Sequence, residues 1–339
     1  MNEQSELFGL PAVSAPPAAV SQWPALEKLK ERVARLAERS VFLGTSSWKY
    51  EGWQGQLYTR DRYLNKRGKY SEAQFDERCL REYAEVFKAV GVDSTFYRFP
   101  SRDNLQALGE QVPDDFQFGF KVTDAITIKK FPNIAKSGSK AGQINPHFLN
   151  AELFAASFLH PCEVIRPKVG VLMFEFSPFR AADYGHGREF IADLDTFLAK
   201  LPPGWPYAIE MRNKNWLVPD YFACLAKHQV THVFNSWEAM PSVTEQMALA
   251  GSMTNPALVA ARFLLKPGRK YQAAKDAFKP YDHTHEVNDE ARKAIAMLIK
   301  IAMAATGGNL VKALIFINNR LEGNALNTIA AVLATDDWR

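Results

Sequence analysis

Cysteine is scarce: Cys79, Cys162 and Cys224 are the only three in 339 residues, far apart and without a C-x-x-C pair. That excludes a disulfide scaffold and a cysteine zinc site, and it fits the reduced thiols of a cytoplasmic protein. No run reaches the roughly 18 apolar residues that a membrane span requires, so no membrane partner is expected. The opening residues Met1-Asn2-Glu3-Gln4 lack the basic and apolar regions of a secretory leader. A P-loop, a G-x-S-x-G elbow and Ser/His/Asp or Cys/His nucleophile motifs are also missing. Of the seven histidines none falls at a predicted strand end, and His283-Thr284-His285 is an H-x-H in a loop. Neither a metal nor a cofactor is therefore expected.

What is present is globular. Hydrophobic residues make up 47% and charged residues 23%, enough to bury a sizeable core. Residues 1–21, rich in Pro and Ala, read as a disordered tail. A helix follows from about Pro24 to Arg39, with Leu26, Leu29, Val33 and Leu36 at helical spacing. From Val41 onward, eight short apolar runs alternate with helical stretches: Val41–Thr45, Gly91–Phe96, Phe116–Val122, Val169–Phe176, Tyr207–Met211, Val230–Phe234, Leu258–Leu265 and Ala313–Ile317. The helical stretches include Ala73–Val90 and Pro146–Leu159. Eight strand–helix units predict a (β/α)8 TIM-type barrel, one domain over residues 22–339. A doubly wound sheet is the alternative. It usually has a Gly-rich first turn, and Gly44-Thr45-Ser46-Ser47-Trp48 has a single glycine.

A barrel works at the C-terminal ends of its strands. Those positions carry Trp48, Tyr50 and Trp53, then Asp93, Thr95 and Tyr97, then Lys121, Glu175, Glu210, Arg212 and Trp216. Asn235, Arg262, Asn318 and Asn319 complete the set. Glu210 and Arg212 are two apart, so both point into the barrel while Ile209 and Met211 face the helices. Two readings stand. One is an internal salt-bridge network that organises the barrel. The other is an anion pocket built from Arg212, Arg262 and Lys121, with Glu210 as general base and Glu175 and Asp93 as further acid–base groups.

These residues lie in segments that resemble the YecE-like family, also known as domain of unknown function 72. The segments are Gly44–Trp48, Ser94–Pro100, Phe116–Lys121, Glu210-Met211-Arg212-Asn213-Lys214-Asn215-Trp216 and Phe316–Asn319, in that order between about residues 41 and 333. The resemblance implies a TIM-type barrel and brings no established reaction. The chain departs from the family pattern at Ser47, Gly91 and Asp93, at Glu175-Phe176-Ser177, and at Phe263–Lys266.

Several chemistries compete. A glycosidase would use Glu175 and Glu210 with Trp48, Trp53 and Trp216 stacking on sugar, but the three nearby cations would hold both carboxylates ionised. The same cations oppose a divalent ion on Asp93, Glu175 and Glu210. Schiff-base chemistry at Lys121 needs a lowered pKa, whereas neighbouring glutamates predict a raised one.

Two features lie outside the pocket. Gln4, Leu7 and Phe8 match the Q-x-x-L-F peptide by which bacterial DNA-processing proteins bind the sliding clamp, with a Pro/Ala-rich tether behind them. A chance match is the alternative. The second feature is charge. The chain's net charge is +4, but segments 59–70, 121–140 and 262–281 carry +4, +4 and +5, leaving −9 for the remainder. They contain Arg60, Arg62, Lys66, Arg67, Lys129, Lys130, Arg269 and Lys270, interleaved with tyrosines and phenylalanines. Such segments suit a phosphate backbone with stacked bases, or they are simply solvated loops. The preferred expectation is a barrel whose basic, aromatic-rimmed mouth binds a phosphorylated ligand, nucleic acid above all, with hydrolase or phosphoryl chemistry left open. The alternatives are a small-molecule enzyme for a phosphorylated or carboxylated metabolite and a non-catalytic module tethered to the clamp.

Overall fold

The structure, a computed structural model, describes residues 23–133, 139, 141–304, 311–335 and 338. The tail motif of Gln4, Leu7 and Phe8 lies outside the described residues, as do Lys136 and Lys140. Eight parallel strands close into a barrel in sequence order. They are β1 (Val41–Thr45), β2 (Ala89–Val92), β3 (Gln117–Lys121), β4 (Val169–Phe176), β5 (Tyr207–Met211), β6 (Thr231–Asn235), β7 (Leu258–Phe263) and β8 (Lys312–Ile317). Helix Leu26–Glu38 precedes β1 and buries Leu29, Val33 and Leu36. Among the described residues no helix is long and apolar enough to cross a membrane.

β4 shows why these runs become strands. All eight of its residues are buried, as expected for a parallel strand covered on both faces. Its even-numbered residues pack outward: Phe174 and Phe176 meet rings of the helix layer, Phe154, Phe197 and Phe190 among them. Val171 and Met173 point inward, where they join Ala89, Ala208, Val233, Leu258, Ala260, Leu314 and Phe316 in a separate apolar cluster. That cluster fills the middle of the barrel. Gly119 makes room for it, since a Cβ there would lie 2.5 Å from Phe316 Cζ. One strand position further toward the C-terminal ends, the inward residues turn polar: Lys121, Glu175, Glu210, Asn235 and Arg262. β4–β5 register sets Glu175 beside Glu210, and β6–β7 register sets Asn235 beside Arg262.

Two predicted elements differ. The second strand, expected at Gly91–Phe96, runs over Ala89–Val92, and Ser94–Phe96 form a 3-10 turn. The preceding helix ends at Ala84 rather than Val90. Val86, Phe87, Ala89 and Val90 are an apolar run that suits a buried helix end or a buried strand equally, and pairing with β3 decides it. The helix expected at Pro146–Leu159 starts instead at Ala151, where Asn150 caps it by accepting from Leu153 N, and it continues through a π-turn to Cys162.

Since all strands run one way, the loops after β1, β3 and β7 leave from the same end of the barrel. The β1 and β7 loops also touch. Gln56 Nε2 donates to the Asp282 carbonyl at 2.5 Å, and Gly52 lies so close to Pro280 that a Cβ would sit 2.0 Å from its carbonyl oxygen.

Candidate functional site

The polar layer is one connected network. Arg212 donates from Nε and Nη2 to Glu210 Oε1, at 2.9 and 2.7 Å, and from Nη2 to Glu175 Oε2 at 2.7 Å. Arg262 donates from Nη1 to Glu210 Oε2 at 2.6 Å and Glu175 Oε2 at 3.1 Å, and from Nη2 to Asp93 Oδ1 at 2.9 Å. Lys121 Nζ lies 2.6 Å from Glu175 Oε2. Three cations thus meet three carboxylates, and the core of the mouth is electrically balanced. Aromatic rings flank it: Lys121 Nζ sits 3.7 Å from the Phe96 ring centroid and Arg212 Cζ 3.9 Å from that of Trp237.

Burial sorts the acid–base candidates. Glu210 is 0% exposed and accepts from both arginines, so it orients guanidinium groups and offers no surface to a ligand. Glu210, the candidate general base of the sequence reading, thus has both carboxylate oxygens engaged by arginines. Burial pushes the Glu175 carboxyl up, but Arg212, Lys121 and Arg262 outweigh it and hold it at about 2. Burial also depresses Lys121, despite the raising effect of Glu175, with Arg262 and Arg212 adding to the depression. The raised pKa expected for this lysine is therefore corrected: desolvation wins over the adjacent carboxylate. Arg262 is driven upward, its burial being overcome by Glu210, Asp93 and Glu175. Asp93, 38% exposed at its side chain, is the most accessible carboxylate of the network.

Asp93 also lines a cleft of about 420 Å³ outside the barrel axis, together with Trp48, Lys49, Ser94, Thr95 and Arg98. Thr95 is fixed there by donating to the Lys121 carbonyl at 2.8 Å. Tyr97, on the same turn, is 60% exposed.

The other ligand candidates separate. Tyr50 is close to the mouth, and burial lifts its hydroxyl to about 12 although Arg320 pulls the other way. Trp53 is fully buried against Tyr50 and Tyr58 and belongs to the core. Trp216 stacks on Phe179 and Phe190, and Gly187 leaves the space that its ring occupies. Asn235 is fully buried and donates to the Met211 carbonyl. Asn318 accepts from Arg320 N at 3.0 Å and Asn319 from Ala325 N at 2.8 Å, which shapes the turn before the last helix. Trp53, Trp216 and these asparagines are thus held by internal contacts.

The basic loops also divide. Arg62 is paired with Glu85 at 2.5 Å, and Arg269 with Glu286, which also takes Lys266 at 2.7 Å. Among the described residues Arg60, Lys66, Arg67, Lys130 and Lys270 are exposed and form no ion pair. Lys129 covers the Tyr184 ring at 3.3 Å, and its loop is held by Asn145, which donates to Ala125 and Ile128 carbonyls. Asp282, His283 and His285 bring three exposed metal-capable atoms within 4.8 Å of one another, outside the network.

Three residues escape the sequence reading. Phe96 and Trp237 flank the network, and Arg320 lies just past β8. Their signal is positional, since each stands within three residues of a strand end or of another residue of the mouth.

The fold and its mouth define a closed (β/α)8 barrel with a buried, charge-balanced ionic layer at the C-terminal end. The chain belongs to the family described as "Protein of unknown function DUF72", whose model matches residues 42–336. A solved structure of a DUF72 family protein from Enterococcus faecalis V583 is similar, with a TM-score of 0.56 and 19% identity, covering 88% of this chain and 96% of that one. A second, from Thermotoga maritima MSB8, has a TM-score of 0.53 and 18% identity over 87% and 97% of the two chains. At such identities the likeness is one of fold. No curated protein matches the chain.

Proposed function

We propose that the protein binds a phosphorylated ligand at the C-terminal end of its barrel, with single-stranded nucleic acid as the preferred class. One observation carries this reading. The ionic layer at the centre is neutral, whereas the rim around it holds exposed cations with no carboxylate partner among the described residues, interspersed with aromatic rings. Arg60 against Tyr70, at 4.6 Å, is one such pairing. Such a rim follows a phosphate backbone and offers rings to bases. The buried layer then acts as a rigid floor that keeps the mouth open and of fixed shape.

Titration of a labelled single strand at increasing salt tests the proposal. Binding should fall steeply, with a log–log slope of roughly −0.7 for each phosphate neutralised. Charge reversal at Lys129 and Lys130 together should weaken binding and flatten the slope. Salt-insensitive binding, or none, would reject the reading.

The cleft beside Asp93 favours a second reading, a small phosphorylated or carboxylated metabolite held by Arg98 and Lys49 next to Asp93. It expects a shallow salt slope and sensitivity to Arg98→Ala. We further propose, from the sequence motif alone, that Gln4, Leu7 and Phe8 tether the chain to a sliding clamp.

A further inference from the structure

We propose that Arg320, in the loop after β8, is the anchor for a phosphoryl group of the ligand, beside a cluster of Tyr50, Tyr271, Tyr281 and Trp237. This rests on the phosphorylated-ligand reading above and names the residue that would fix one phosphate.

Lys121, Arg212 and Arg262 are each matched by a buried or half-buried carboxylate. Arg320 is not. Among the described residues no carboxylate pairs with it, and its Nε is buried without a hydrogen-bond partner. A buried donor left unsatisfied costs free energy unless a ligand or water completes it. A half-buried guanidinium without a counter-ion is the kind of group an anion would occupy.

Its surroundings suit a phosphoryl group. Arg320 Cζ stacks 4.5 Å from the Tyr271 ring centroid, which keeps the planar fork in one orientation. Tyr271 is 41% exposed, so the fork is reached from solvent along that ring. Tyr271 approaches Trp237, at 6.4 Å, and Trp237 lies over Arg212, so the cluster borders the ionic layer. On the other side stand Tyr50 and Tyr281, with centroids 5.7 Å apart. As phenols both are protonated at neutral pH and can donate to phosphate oxygens. The position agrees with the barrel plan, in which the loops after strands 7 and 8 frequently form a phosphate site.

The shared chemistry is a phosphoryl oxyanion, which a free phosphate or a nucleic-acid backbone can supply. The test uses the full chain with two probes, pyrophosphate followed by calorimetry and a short single-stranded oligonucleotide followed by anisotropy. Arg320→Ala should weaken whichever probe binds the wild type by about tenfold or more, the loss of one charge-assisted fork. Arg320→Lys should fall between. Arg35→Ala, which removes an exposed cation of the first helix paired with Glu31, should stay within about twofold of wild type, the usual reach of a surface ion pair. Binding that is unchanged in Arg320→Ala overturns this inference and leaves the proposed function standing. Failure of both probes on the wild type overturns both. Should Arg320→Ala not fold, phenylglyoxal labelling of the wild type decides: the bound probe should protect Arg320 from modification, and binding without protection rejects the anchor.

Discussion

Glu210 is held by two arginines and has no exposed surface, and this combination sets what its replacement does. Glu210→Gln leaves two buried guanidinium groups short of a counter-charge. The expected loss is about 3–5 kcal/mol, read by urea denaturation, because breaking a buried pair exposes the desolvation cost of the partner left behind. Asp93→Asn, at a site 38% exposed, should cost clearly less. Glu175 gives a pH prediction. Its carboxyl titrates at about 2 in the folded chain against an ordinary value of 4.5. Its contribution is therefore complete above about 4.5 and disappears as the pH falls toward 2. Urea midpoints measured across that window should decline in the wild type, and the decline should be shallower in Glu175→Gln.

At the scale of elements, the link between the β1 and β7 loops is the most specific joint near the mouth. Gly52→Ala would drive a methyl into the Pro280 carbonyl. The expected cost is about 1–3 kcal/mol. It should be accompanied by faster proteolytic cleavage in residues 50–63 and 278–285, read by mass spectrometry. Much of this architecture is legible in the sequence. β1, β4 and β5 begin and end where the apolar runs do, because each run is bounded by polar or turn residues. β2 is not, because Val86 to Val92 is apolar apart from Lys88 and Gly91, with no turn cluster to mark a boundary, and only pairing with β3 divides helix from strand. The inward set Lys121, Glu175, Glu210, Arg212 and Arg262 follows from strand period alone. Which of them is accessible does not, since that depends on how three carboxylates and three cations fold onto one another. For the same reason Trp53 and Trp216 resemble ligand platforms in the sequence: tryptophan near a strand end says nothing about whether the adjoining helices cover it.

For the whole molecule the relevant quantity is where the unpaired charge sits. Lys66→Glu with Arg67→Glu should reduce the salt slope of single-strand binding by roughly 0.7 for each phosphate no longer neutralised, with the melting temperature unchanged. Neither side chain is paired or buried among the described residues. The proposed clamp tether makes a separate prediction. Leu7→Ala with Phe8→Ala in the full-length protein should abolish pull-down by a bacterial sliding clamp while single-strand binding persists.

The packing of Phe316 against Gly119 has a consequence for traffic. Among the described residues, side chains fill the barrel's interior and leave no passage from one end to the other. Whatever arrives at the mouth must depart by the route it took, so successive occupants exclude one another and none can be pushed out from behind. On the proposed ligand-binding reading, a bound molecule would have to clear the rim before a second could take its place.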